Sequence, residues 1–211
     1  MKVHTSETQA TITPSRAIEL LQEGNLRFVN NLKINRNLLE QVNDTREGQW
    51  PFATILSCID SRVSAELIFD QGLGDIFSIR IAGNYINKDI LGSMEFACNI
   101  SNSKLIVVLG HTKCGALKGG LDFAKIKGAG MNNLEHLLSH FEPSISELVE
   151  KGEERSSSNK DMLDKLTVLN VENSIKDIRV ESDVLKNLEE EGKIKIVGAV
   201  YDVEDGVVTW I

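Results

Sequence analysis

Phe52-Ala53-Thr54-Ile55-Leu56-Ser57-Cys58-Ile59-Asp60-Ser61-Arg62 runs from an apolar segment into a thiol, a carboxylate and a guanidinium. A helical pattern around Glu66-Leu67-Ile68-Phe69 follows. The stretch reads as a buried strand that ends where a helix begins, which is where open α/β sheets bind their ligands. A second junction of the same kind lies downstream. The apolar run 105–109 gives way to Gly110-His111-Thr112-Lys113-Cys114-Gly115, and Cys114 opens another helix. If these two strands are sheet neighbours, Cys58, His111 and Cys114 converge on one edge. Two thiolates and an imidazole with a fourth position free form the donor set of a catalytic zinc site.

Outward from these junctions the pattern alternates strand and helix. Strands are expected at 52–57, 76–80, 105–109 and 193–201, with 207–211 returning after the turn at Asp205-Gly206. The first three are apolar nearly throughout, as parallel strands covered on both faces are. Helices are expected near 89–99, with Ile90, Met94, Ala97 and Cys98 on one side, and at 131–141, 144–150, 160–173 and 181–191. Such alternation predicts βαβ units with right-handed crossovers. Segment 152–159 is an exposed loop rather than a domain boundary, since no second core follows it. Thr13-Pro14 opens an N-terminal helix with Ile18, Leu21, Leu26 and Phe28 as its apolar stripe, weakened by Gly24. This helix either packs on a neighbouring subunit or covers its own sheet. Residues 30–48 are polar, a loop or short helix. The expected fold is one α/β domain over 1–211. It has a mainly parallel sheet flanked by helices, an antiparallel C-terminal edge strand, an N-terminal helical arm at 1–48 and a core at 49–211.

The 211 residues, 41% of them hydrophobic, suffice for a sizeable core, and the net charge of -8 disfavours nucleic acid or an anionic membrane as partner. No apolar stretch spans a bilayer, and residues 1–13 lack the core of a signal peptide. Three cysteines, without framework spacing, point to a reducing, cytoplasmic setting in which thiols serve metal binding, chemistry or packing.

Cys58 and Cys114, each taken alone, would read as buried small hydrophobes. Together with His111 at two strand ends they read as a metal set, and zinc suits mixed thiolate and imidazole ligands. Cys114 also opens a helix, whose N–H groups favour a thiolate. Cys98, inside a helix, reads as core. His136 and His140 share a helix face at i, i+4 but lack the glutamate of H-E-x-x-H, so an ordinary helix surface is the reading. His4 has no role. Gly110, Gly115, Gly119 and Gly120 do not form a Walker phosphate loop. Asp60 beside a metal would repel a bound hydroxide unless Arg62 neutralised it, which the planar guanidinium is suited to do.

C-x-D-x-R, R-[IN]-x-x-N and G-H-x-x-C-G, in that order, resemble the β-class carbonic anhydrases. Here they are Cys58-Ile59-Asp60-Ser61-Arg62, Arg80-Ile81-Ala82-Gly83-Asn84 and Gly110-His111-Thr112-Lys113-Cys114-Gly115. The resemblance runs from about Pro14 to the end, including Gly198-Ala199-Val200-Tyr201-Asp202. It implies one zinc ion per chain on Cys58, His111 and Cys114, hydroxide formed on that zinc attacking carbon dioxide to give bicarbonate, and homodimers that often pair into homotetramers. By the same resemblance Asp60 and Arg62 are catalytic, and Gln49 holds a substrate oxygen. Phe77, Ala82 and Phe96 line the apolar pocket, often from the adjacent subunit, and the Gly115 N–H steadies bicarbonate. Ala82 is smaller than the valine common there.

The resemblance further implies two states. Asp60 pairs with Arg62 when the site is open, or becomes a fourth zinc ligand when it is closed, and low pH favours closure. Some relatives carry a second, inhibitory bicarbonate site with tryptophan and glycine three and one residues before the first cysteine. Those positions are Ile55 and Ser57 here, so the chain resembles the subtype without it, although Arg80 matches that site's arginine. Hydrolysis of carbon disulfide or carbonyl sulfide on the same scaffold, or a non-catalytic zinc module, are the competing readings. A thiol phosphatase is disfavoured, because C-x-D-x-R is too short for a C-x5-R loop.

Overall fold

The computed structural model describes residues 3–152 and 154–211. Among these, five strands form one sheet: β1 (Ala53–Ser57), β2 (Ile76–Arg80), β3 (Leu105–His111), β4 (Lys195–Tyr201) and β5 (Val208–Trp210), in the order β2-β1-β3-β4-β5. The first four are mutually parallel where they pair, and β5 runs antiparallel to β4. β1 and β3 are buried at every position, as central parallel strands must be. β2 is an edge, and its burial alternates despite its apolar composition.

The helices are α1 (Ser6–Thr11), α2 (Pro14–Val29), α3 (Leu38–Thr45), α4 (Ala65–Ile68), α5 (Lys88–Glu95), α6 (Gly115–Leu121), α7 (Phe123–Ile126), α8 (Asn132–Ser139), α9 (Glu142–Glu150), α10 (Lys160–Glu181) and α11 (Asp183–Glu190). One face of the sheet packs Ile55, Val107 and Leu109 against Ala17 and Leu21 of α2 and Ile68 of α4. The opposite face packs Leu56, Ile106 and Val108 against Ile90 and Met94 of α5, Val171 and Ile178 of α10 and Leu185 of α11. A third cluster, beyond the C-terminal strand ends, joins Cys58 and Cys114 to Leu117, Leu138, Phe141 and Leu166.

Thr13 caps α2 by accepting from the Arg16 N–H, with Pro14 in the first turn. Gly24, read from sequence as a weak point, is instead a contact. A Cβ there would stand 1.8 Å from the Phe69 carbonyl oxygen, so only glycine lets α2 lie this close to the end of α4. That turns Leu21 and Ala17 inward and leaves Leu26, expected in the stripe, 65% exposed. α2 therefore lies on its own sheet. The segment after it is tied down by Asp70, which is buried and pairs with both Arg27 and Arg36. The polar N-terminus forms α1, and Gln9 donates to the carbonyls of Pro51 and Ser101. α5 passes into one π-helical turn, Phe96–Ile100. α10 continues to Glu181, eight residues past its expected end, because Ser174 and Ile178 prolong its buried face.

Candidate metal centre

The chain leaves β1 for β2 on one side, then crosses to β3 on the other. The order reverses between β1 and β3, which is where ligand sites form in open parallel sheets. Ser57 stands level with Leu109, so Cys58 steps off β1 beside the end of β3, which carries His111. Cys114 is the N-cap of α6. The convergence expected from sequence is thus produced by strand register. The two sulfurs are 4.0 Å apart, and the donor atoms of Cys58, His111 and Cys114 all lie within 4.8 Å of one another. Tetrahedral zinc with Zn–S bonds of about 2.3 Å places two sulfurs about 3.8 Å apart. His111 Nδ1 lies 2.9 Å from the Thr112 carbonyl, which only accepts, so Nδ1 carries the hydrogen. Nε2 is left with a free lone pair, buried and without a hydrogen-bond partner. A buried imidazole nitrogen in that condition beside two thiols fits a metal ligand.

The two thiols share their environment unequally. Cys58 is pushed down, chiefly by a hydrogen bond from Cys114 against the penalty of burial, with the Gly83 N–H assisting. Cys114 is pushed up, because it gives that hydrogen bond and is itself buried. A metal ligand must be a thiolate, and a cation between the two sulfurs would favour ionisation of both. Cys98 lies apart, and burial raises it to about 12, as befits a packing residue. The three cysteines, all within the described residues, are free thiols.

Asp60 is not a member of the donor cluster. Arg62 Nε donates to Oδ1 at 3.0 Å and Nη2 to Oδ2 at 2.8 Å, while the Arg62 N–H adds a third bond to Oδ1 at 2.9 Å. These bonds outweigh burial and hold the carboxyl well below the usual carboxylate range. Arg80 sets the same loop from below, donating to the Cys58 carbonyl at 3.0 Å and the Asp60 carbonyl at 2.7 Å. Among the described residues the cluster offers three donors, and the acid that could close it is turned onto an arginine. This is the open arrangement of the two expected.

A cavity of about 350 Å³ adjoins the cluster, lined by Cys58, Asp60, Ala82, Gly115 and, from α8, Leu134, Leu137 and Leu138. Of the pocket residues expected from sequence, Ala82 and Gly115 are here. Phe77 and Phe96 are not; they meet edge to face, 6.4 Å between centroids, in a separate groove of about 640 Å³ with Lys88 and Asp89. Gln49 is exposed and lines neither space. The α8 leucines were visible in the sequence only as an amphipathic helix, with nothing to connect that helix to the strand ends. His136 and His140 lie outside the donor cluster, and His140 stacks on Tyr85 at 4.2 Å.

The carbonic anhydrase family model matches residues 53–208. Carbonic anhydrase 2 of Mycobacterium tuberculosis is 34% identical over 92% of this chain and 90% of its own length. The carbonic anhydrase of Mycolicibacterium smegmatis is 33% identical over 92% and 91%. The solved structure of the β-carbonic anhydrase CcaA superposes with a TM-score of 0.71 at 27% identity, covering 93% of both chains. A chain whose strand-end cysteines and histidine meet as these do, and whose length is matched from β1 to β5, belongs to the β-class carbonic anhydrase family.

Proposed function

We propose that the protein is a carbonic anhydrase that reversibly hydrates carbon dioxide to bicarbonate and a proton, with one zinc ion held by Cys58, His111 and Cys114. The observation that carries this reading is the three-donor cluster with Asp60 fixed on Arg62 rather than on the donors. A zinc ion there would supply the Lewis acidity that makes a water ionise near neutral pH and attack carbon dioxide. A non-catalytic zinc module would need a fourth strong ligand, and the described cluster has none.

The chain's own residues shape the rest. Asp60, kept ionised by Arg62, accepts a hydrogen bond from the attacking oxygen and so orients its lone pair. Arg62 keeps the carboxylate from turning onto the donor set. Leu134, Leu137 and Leu138 give the cavity an apolar wall suited to a small nonpolar substrate. Gly115 lines the cavity, a Cβ there would meet nothing within 4 Å, and its N–H is assigned to a bicarbonate oxygen by the family resemblance. Ile55 and Ser57 are fully buried within β1, and Arg80 is committed to two loop carbonyls. Both points support the subtype without the inhibitory bicarbonate site.

Gln49, Phe77 and Phe96 are assigned to the site of a neighbouring chain, in a homodimer or homotetramer. Phe96 is 54% exposed beside the groove it shares with Phe77, which supports its burial by a second copy. Among the described residues no helix is long and apolar enough to cross a membrane, and the free thiols suit a cytoplasmic setting.

The test is initial-rate turnover of carbon dioxide, carbonyl sulfide and carbon disulfide by the purified full chain. Carbon dioxide is expected to be turned over far faster than either sulfide. Turnover of the sulfides without carbon dioxide hydration would overturn the reading.

A further inference from the structure

α10 packs against β3 and β4 and reaches the ends of the strands, yet its buried face is not wholly apolar. Asn170 is 4% exposed and Ser174 is 3% exposed. Spaced i, i+4, they lie on one face, among Leu166, Val171 and Ile178. A buried amide or hydroxyl is costly unless it is hydrogen-bonded. Both are, and both to the same turn. Asn170 Nδ2 donates to the Gly83 carbonyl at 2.9 Å, and Ser174 Oγ donates to the Asn84 carbonyl at 3.2 Å.

That turn has an unusual backbone. Gly83 and Asn84 are successive left-handed residues, at φ +79° and +44°. A Cβ at Gly83 would stand 2.3 Å from Phe141 Cζ, so position 83 requires glycine for its space as well as its φ. The turn is also pinned to β1, because the Ile81 N–H donates to the Ser57 carbonyl. With its two carbonyls held by α10 and the Asn84 N–H on the Ile81 carbonyl, the turn presents the Gly83 N–H to a metal donor, 3.4 Å from Cys58 Sγ.

We infer that Asn170, seconded by Ser174, is a positioning residue for the metal centre: from α10 it holds the 83–84 turn so that the Gly83 N–H is aimed at the Cys58 sulfur. The inference rests on the reading of Cys58 as a ligand. An N–H donated to a ligating sulfur fixes its orientation and disperses its charge, and groups that orient ligands in this way govern metal affinity. It also explains why polar residues occupy the middle of a core helix at this spacing. A leucine and an alanine there would pack, but they would leave two buried carbonyls unpaired and the turn unheld.

The experiment uses the full chain as wild type, Asn170→Leu and Ser174→Ala, each checked for folding by circular dichroism. Zinc affinity is measured by competition with a chelator. Thiolate-to-metal charge transfer is read in the cobalt-substituted protein. In the cadmium-113 protein with ¹⁵N-glycine, the scalar coupling between the metal and the Gly83 amide proton reports the N–H···S bond directly. The wild type is expected to show the coupling. Asn170→Leu is expected to lose it, to shift the cobalt band and to bind zinc about 10- to 100-fold more weakly. Ser174→Ala should move each readout in the same direction by less. Unchanged affinity and coupling in Asn170→Leu would overturn the inference, as would the absence of the coupling in metal-loaded wild type. Should Asn170→Leu not fold, Ser174→Ala decides: a weakened coupling and affinity support the inference, and wild-type values overturn it. A wild type that takes up no metal refutes the ligand assignment itself, a separate and recognisable failure.

Discussion

The edge formed by β1 and β3 and the groove beside β2 differ in how far one chain completes them. At the edge, Cys58, His111 and Cys114 meet, Arg62 holds Asp60, and Arg80 fixes the loop beneath. At the groove, Phe77 and Phe96 touch each other but line no part of the metal cavity, and Gln49 stands exposed elsewhere. Strand register builds the first region, so it follows from the chain alone. The second leaves Phe96 54% exposed even with Phe77 beside it. Chemistry at the edge and completion of the pocket are therefore separable, and substitutions in the two regions should fail differently.

The largest effects belong to the edge. Cys58→Ala and His111→Ala are expected to lose zinc and all measurable hydration, as read by metal analysis beside the rate; full metal occupancy in both would break the ligand assignment. Arg62→Ala should keep its zinc and lose about 10- to 100-fold in rate, the scale of hydrogen bonds to a charged group in a partly buried site. Freed of its partner, Asp60 can turn onto the donor set. A zinc-loaded Arg62→Ala with wild-type rate would remove the pair from the chemistry.

Groove substitutions should act through assembly instead. Phe96→Lys is expected to shift the protein toward monomer in sedimentation, with Cys58, His111 and Cys114 still binding metal. Wild-type assembly in that variant would leave the groove without its proposed role. Gln49→Ala should be mildest, losing about 1 kcal/mol, or roughly fivefold in rate, with zinc retained. If its kinetics match wild type, Gln49 belongs to no site.

The same contrast governs what the sequence discloses. β1 and β3 are legible because both faces are covered, leaving nearly continuous apolar runs, and the polar residues that follow mark the ligand edge. The thiol and imidazole cluster is legible for that reason, once the two strands are taken as neighbours. Interactions across elements are not. Gly24 reads as a helix flaw until Phe69 is seen beside it. Leu26 fits an apolar stripe by spacing but faces outward, since the close approach at Gly24 fixes how α2 is rotated. The π-helical turn at Phe96–Ile100 has no periodic signature in five residues. Asn170 and Ser174 look like ordinary polar positions, because the carbonyls they satisfy lie nearly ninety residues earlier. Gln49, Phe77 and Phe96 enter only through family resemblance, and the single chain brings none of them to the metal cavity.

Metal removal and return tests the central claim most directly. The purified chain is stripped with a chelator, assayed for carbon dioxide hydration, and titrated back with zinc while metal content is measured. The account predicts that hydration vanishes in the stripped protein and returns in proportion to occupancy, reaching its plateau at one zinc per chain. Hydration that persists in metal-free protein, or a fully zinc-loaded chain that does not hydrate carbon dioxide, would contradict it.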